Sequence, residues 1–264
     1  MQGIDVSMFQ GSIDFAKVKA SGIDFVIIRA GYGREISQKD PYFEKNYAGA
    51  KAAGLNVGAY WYSYADSVED VKKEAAACLE AIKGKKFEYP IYFDIEETKQ
   101  FKRGKDFCSG LVKTFCDALE KAGYFAGFYA STYYLNKYFT PEVKNRYTVW
   151  AAEYAGTLHY TGGAGAWQYT SFGRVNGISG RVDRDISYKD FPAIIKKAGL
   201  NGYKKATSDG SNSSKAAPVT YTVKAGDTLT AIAKRYKSTV AKIVKANSIK
   251  DANKIYVGQV IKIP

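Results

Sequence analysis

Pro90-Ile-Tyr-Phe-Asp94-Ile-Glu96 is an apolar run that ends in two acids. The run predicts a buried strand over residues 90–94. Side chains alternate along a strand, so Asp94 and Glu96 share one face and Ile95 takes the other. Two carboxylates aimed the same way at the end of a buried strand cost free energy unless they are used. Similar short apolar runs recur at residues 25–30 (FVIIRA), 56–61 (NVGAYW), 125–129 (FAGFY) and 148–152 (TVWAA). Between them, residues 43–53, 68–82 and 105–122 carry a helical period, with Gly54 and Gly123 where helix C-caps belong. Alternating strands and helices predict a parallel sheet or a barrel. After Thr148 the helices thin out and the strands draw closer. A (β/α) barrel with reduced helices in its C-terminal part fits this pattern best. A doubly wound open sheet is the alternative, but no GxGxxG or phosphate loop follows any strand. In barrels, sites form at the C-terminal ends of the strands, which is where Asp94 and Glu96 fall.

The barrel pattern ends near residue 201. Residues 202–218 are rich in Ser, Gly, Ala and Lys without an apolar period, and they read as a flexible linker. Two domains follow from this, 1–201 and 219–264. The second is strand-like at 219–224, can cap a helix with Asp227 or Thr228, continues as a helix over 240–246 and closes with a strand at 260–263. That is a β-α-α-β module near the lower size limit for independent folding.

Composition narrows the function. Of 264 residues, 46% are apolar, enough for a sizeable core. Aromatics reach 15%, with 22 Tyr among them, and Tyr offers a flat apolar face with a polar tip that suits sugars. The net charge of +13 is uneven: residues 204–264 hold 12 Lys/Arg against 3 Asp/Glu, a net of +9. Such a tail can attract an anionic cell wall, a membrane surface or nucleic acid. Nucleic-acid binding would show steep salt dependence. Three cysteines, Cys78, Cys108 and Cys116, imply no disulfide framework. The sole histidine, His159, makes a His-rich metal site or a Ser-His-Asp triad unsupported. No run of about 18 apolar residues occurs, so no membrane insertion is expected. No N-terminal signal peptide is visible. Two origins fit this: a chain made in a host cytoplasm, or a chain that begins at a mature terminus.

Further acids repeat the Asp94–Glu96 spacing. Asp5 ends a short first strand, and Asp183 and Asp185 are again two apart. If the last strand closes beside the first, all of these acids converge. The bland alternatives are a cap for Asp5, and pairing with Arg181 or Arg184 for the other two. Converging carboxylates raise one another's pKa, which is how a Glu stays protonated near neutrality and serves as a general acid. Hydrolysis of a glycosidic bond needs such an acid and a carboxylate or substrate group that stabilises an oxocarbenium-like transition state. An all-oxygen Mg²⁺ or Ca²⁺ site is the competing use of the same acids, but no metal and no other cofactor is expected. Among the aromatics, Tyr62, Tyr129 and Trp150 stand at strand C-termini and fit a sugar groove.

These residues carry a resemblance. Gly3-Ile-Asp-Val-Ser7, residues 25–33 (FVIIRAGYG), Tyr60-Trp-Tyr-Ser63, Phe93-Asp-Ile-Glu96, Gly127-Phe-Tyr129, Trp150-Ala-Ala-Glu-Tyr154, Trp167-Gln-Tyr169 and Val182-Asp183 follow in order. In this the chain resembles glycoside hydrolase family 25, the Chalaropsis-type lysozymes of phage endolysins and bacterial autolysins. The resemblance implies a β/α barrel and N-acetylmuramidase activity on the β-1,4 bond between N-acetylmuramic acid and N-acetylglucosamine. It implies Glu96 as general acid, Asp94 as its charge-stabilising partner, and Asp5 and Asp183 as supporting acids. Tyr32, Tyr62, Tyr129, Trp150, Gln168 and Asp185 are the expected substrate-binding residues. At Asp185 the chain departs from the Asn that the family pattern leads one to expect. Tyr221-Thr-Val-Lys-Ala-Gly-Asp-Thr-Leu229 with the closing residues 255–264 resembles a LysM module. That implies glycan binding by Gly226, Asp227, Thr228 and Leu229 and by the loop from Ile249 to Asn253. The expected partner is the peptidoglycan glycan strand, met by a monomer that binds no nucleic acid.

Overall fold

A computed structural model gives the structure of the chain. It describes residues 1–205 and, beyond them, 219–224, 226–236, 238–247, 249, 251–252, 255 and 259–263. The chain divides into two compact units, Met1–Thr207 and Ser208–Pro264.

The first unit is a closed barrel of eight strands in chain order. They are β1 (Gln2–Val6), β2 (Phe25–Tyr32), β3 (Asn56–Tyr62), β4 (Ile91–Asp94), β5 (Ala126–Ser131), β6 (Thr148–Ala152), β7 (Ala166–Gly173) and β8 (Val182–Ser187). Helices α1 (Phe15–Ala20), α2 (Phe43–Ala52), α3 (Val68–Ile82), α4 (Thr98–Phe101), α5 (Lys105–Lys121), α6 (Thr132–Lys137) and α7 (Pro141–Arg146) follow the early strands, and α8 (Phe191–Ala198) follows the last. Residues 153–165 and 174–181 contain no helix, which is the expected thinning. The short 174–181 connection has a structural consequence. A parallel return needs a crossover of a dozen residues or more. β8 therefore runs antiparallel to both β7 and β1, whereas β1 to β7 are parallel.

Strand alternation divides the core in two. Val26, Ile28, Val57, Ala59, Trp61, Ile91, Phe93, Ile95, Phe128, Val149 and Ala151 point out of the barrel and pack under the helices. Phe25, Ile27, Tyr92, Tyr129, Trp150 and Ala166 fill the interior. Ile95 thus lies in the outer core, as its place between two acids requires. Gly3 stands where a Cβ would fall 2.2 Å from the Phe25 ring, so only glycine lets that ring close the barrel interior.

The start of the expected linker is folded onto the barrel. Buried Asn201 accepts from Phe125 N at 2.6 Å and donates to Tyr89 O at 2.8 Å. Tyr203 hydrogen-bonds Glu88. These polar anchors outweigh the local Gly and Lys content that suggested a linker from residue 202. Residues 206–218 lie outside the described residues.

The second unit pairs β9 (Val219–Thr222) antiparallel with β10 (Val260–Ile263), with α9 (Leu229–Arg235) and α10 (Val240–Asn247) between them. Thr228 caps α9, its hydroxyl accepting from Ala231 N at 3.2 Å. Tyr221, Val223, Leu229, Ile232, Ile243 and Ile261 form the small core.

Candidate active site

β4 and the residues just after it carry the interior-facing series Tyr92, Asp94 and Glu96 at the C-terminal mouth of the parallel strands. β1 contributes Asp5 at the same end, and the β1–β8 register sets Asp5 directly opposite Asp183. Antiparallel β8 begins where its neighbours end, so its first interior residue is at the mouth. A cavity of about 260 Å³ opens there, lined by Asp5, Asp94, Glu96 and Asp183 together with Arg29, Tyr60, Tyr62, Tyr129, Trp150, Tyr154 and Gln168. Ser7, Phe9 and Gln10 from the turn after β1 complete the wall. An adjoining apolar hollow of about 470 Å³ shares Glu96, Tyr129 and Tyr154 and adds Thr132, Tyr133 and Glu153, so the depression extends into a groove beyond Glu96.

Gln168 ties the acids to the aromatics. Its amide N–H donates to Asp5 Oδ2 at 2.8 Å, and its carbonyl accepts from the hydroxyls of Tyr129 at 2.9 Å and Tyr154 at 3.1 Å. The Tyr62 hydroxyl donates to Glu97 at 2.9 Å. Arg29, the cation of the cavity wall, is held by Nε donation to Asp40 Oδ2 at 2.8 Å. Asp40 also accepts from Met8 N and Tyr42 N, so its charge is fully engaged.

Burial holds Asp5, Asp94, Glu96 and Asp183 above their ordinary range, and repulsion from neighbouring acids adds to it for the first three. Desolvation raises Asp94 first, the Glu96 charge second, and Arg29 opposes. For Asp5 desolvation is followed by the charges of Asp185 and Asp183. For Asp183 desolvation is the cause. Glu96 rises to about 7, through desolvation and then the charges of Asp183 and Glu97, against a hydrogen bond from Tyr129. Glu96 retains an exposed surface while Asp94 is buried. The Glu96 carboxyl is crowded by the walls of the cleft yet open to it, a geometry that suits a group exchanging protons with a bound molecule.

Two expected substrate contacts fall elsewhere. Tyr32 does not line the cavity. The β2–β3 register shifts between Arg29 and Gly31, which pairs Tyr32 with Tyr62 at the very end of β2. The Tyr32 ring instead meets Tyr64 edge-on at 6.1 Å. Asp185 lies opposite Gly3, fully buried below the cavity, and pairs with neither Arg181 nor Arg184. It accepts from the Trp150 indole N–H at 2.9 Å. Trp150 is itself almost wholly buried and meets the cavity only at its floor. Arg29, Tyr154 and Phe9 were not singled out from sequence. Arg29 had one signal, a charged residue inside an apolar strand.

In the second unit, Asp227, Thr228 and Leu229 line a hollow of about 200 Å³ with Val240, Ala252 and Ile255. Gly226 adjoins it without lining it, and Ile249 packs on the unit's own core. Asn253 lies outside the described residues. Asp227 accepts from the Tyr221 hydroxyl at 2.6 Å and from Lys224 N at 2.8 Å, which ties the loop to β9.

A cleft of converging acids and aromatic walls at the C-terminal mouth of a β/α barrel has the parts that a glycoside hydrolase uses. The sequence profile of glycosyl hydrolases family 25 matches residues 4–178, and the chain belongs to that family. The LysM domain profile matches residues 221–264. The autolytic lysozyme of Clostridium acetobutylicum is 34% identical over 190 residues, covering 70% of this chain and 55% of its own. The chain thus spans little more than half the length of that relative. The bacterial lysozyme of Streptomyces coelicolor superposes with a TM-score of 0.66 at 25% identity, covering 75% of this chain and 96% of its own. The modular autolysin LytC of Streptococcus pneumoniae, in complex with a synthetic peptidoglycan ligand, gives 0.63 at 30% identity over 71% and 46%.

Proposed function

We propose that the chain is an N-acetylmuramidase that cleaves the β-1,4 bond between N-acetylmuramic acid and N-acetylglucosamine in peptidoglycan. The observation that carries this reading is Glu96, pushed up to about 7 beside Asp94 in a cleft wide enough for a sugar. Glu96 donates its proton to the glycosidic oxygen. Asp94 stabilises the positive charge that develops on the sugar. While Glu96 keeps its proton, its charge no longer opposes ionisation of Asp94, and Arg29 favours it. Asp5 and Asp183 are supporting acids of the pocket. Gln168, Tyr129, Tyr62 and Tyr154 orient the sugar rings, and Trp150 forms the floor.

The LysM unit holds the enzyme on its polymer through the hollow beside Asp227, Thr228 and Leu229. The enzyme acts at the cell wall as a monomer and binds no nucleic acid. Among the described residues no helix is long and apolar enough to cross a membrane.

The decisive measurement is borohydride reduction of a cell-wall digest beside the Glu96→Gln variant. New reducing ends at muramic acid, absent with the variant, are the expected result. Ends at glucosamine would mean another glycosidase, and wall lysis by Glu96→Gln would remove the acid assignment.

A further inference from the structure

Asp185 is a carboxyl group without an ion pair, and the charge of Arg184, its neighbour in the chain, only partly offsets its burial. It is completely buried in the barrel interior, and Oδ1 accepts from Trp150 Nε1 at 2.9 Å. Oδ2 has no donor group in reach. The groups facing it are Asp5 from β1, Asp183 from β8, Tyr92 from β4, the Tyr89 hydroxyl before β4 and Trp150 from β6. Arg184 neighbours it in the chain but alternates to the other face, its guanidinium 5.9 Å from the Tyr169 ring. In the β7–β8 register Asp185 lies opposite Gln168, whose amide donates to Asp5, and the side chains of Asp185 and Asp5 meet there. Asp5 Oδ2 already accepts from Gln168. Two carboxylates offer only acceptors, so this contact is a hydrogen bond only if a proton lies between them.

We propose that Asp185 is a positioning residue that shares one proton with Asp5, so that the two carboxyls form a single acid–carboxylate pair beneath the cavity. The pair carries one negative charge where two would repel at close range in a dry interior. Asp5 is thereby held by Gln168 on Oδ2 and by the shared proton. Trp150 fixes the far end of Asp185 and links the pair to the cavity floor. The cost of burying both groups ionised makes the shared state the lower in free energy.

Infrared spectroscopy of the full chain tests this. Spectra of the wild type and Asp185→Asn are compared in the carbonyl region, well above the Glu96 pKa of about 7. The wild type is expected to show one protonated-carboxyl band that the variant lacks, because Asn supplies an N–H where the shared proton lay. Identical spectra overturn the proposal. The activity arm rests on the muramidase reading, whereas the infrared arm needs no substrate and so separates failure of one from failure of the other. Asp185→Asn is expected to keep wall lysis within about threefold, and Asp185→Leu, which has similar size but no donor, to lose about tenfold or more. Equal loss in both variants, or equal retention in both, overturns the positioning role. If Asp185→Leu does not fold, the infrared comparison decides alone.

Discussion

Glu96 concentrates the chemistry in one titration. A proton donor must hold its proton, so lysis is expected to fall as pH rises through about 7, the value to which desolvation and the Asp183 and Glu97 charges push Glu96. Turbidity clearing at constant ionic strength measures this limb, and a limb in the ordinary Glu range would contradict it. Asp183→Asn removes one of the charges that raise Glu96, so its alkaline limb is expected at lower pH than that of the wild type. Asp94 brings the same sign into stability. Its pKa is raised on folding, so its contribution is fully present below the unfolded value and lost as pH rises toward the folded one. Asp94→Asn has no charge to bury. Its Tm is expected to exceed that of the wild type at neutral pH, with the gap closing below about pH 4, the unfolded Asp range. Calorimetry across pH checks this, and a gap that widens on acidification would refute it. Much of this residue-scale picture was legible in sequence, because Asp94 and Glu96 are two apart on one strand. The depth of Asp185 was not, because its own strand says nothing about how far into the barrel it is carried.

At the scale of elements, α3 was legible to its ends. Ser67 caps it by accepting from Asp70 N at 3.1 Å, and its buried face carries Val71, Ala75, Cys78 and Ile82 at helical spacing. β2 was legible over Phe25–Ala30, but not the register shift between Arg29 and Gly31 that pairs Tyr32 with Tyr62 at its end. The attachment of the chain after α8 was not legible, since its anchors at Asn201 and Tyr203 are long-range hydrogen bonds invisible to composition. Asn201 has φ +54° and satisfies two buried backbone groups. Asn201→Ala leaves both unpaired and places alanine in the left-handed region. A loss of about 3 kcal/mol in unfolding free energy is expected by urea titration. A loss below about 0.5 kcal/mol, as at an ordinary surface position, would mean that these hydrogen bonds do not anchor the chain after α8.

At the scale of the molecule, charge and chemistry are divided between the units. The acids that line the cavity are in Met1–Thr207, and most of the net positive charge is in residues 204–264. A chain ending at residue 207 is therefore expected to retain cleavage of soluble glycan fragments while losing adsorption to intact walls. The adsorption lost should itself weaken with added salt. Sedimentation with purified walls, at low and high salt, measures both. Equal adsorption by the full and shortened chains would remove the tethering role of the LysM unit.

The sequence by itself determined the strand period, the helices between strands and the pairing of Asp94 with Glu96 on one face. These follow from covalent geometry and from apolar spacing within a few residues. Tertiary structure decided which separated acids meet. Asp183 faces Asp5 only because β8 enters antiparallel and closes the barrel in one register. That register is set by closure between segments about 180 residues apart, and a shift of one residue would turn every side chain of β8 to the other face. The same closure buries Asp185 beneath the cavity instead of presenting it to a substrate.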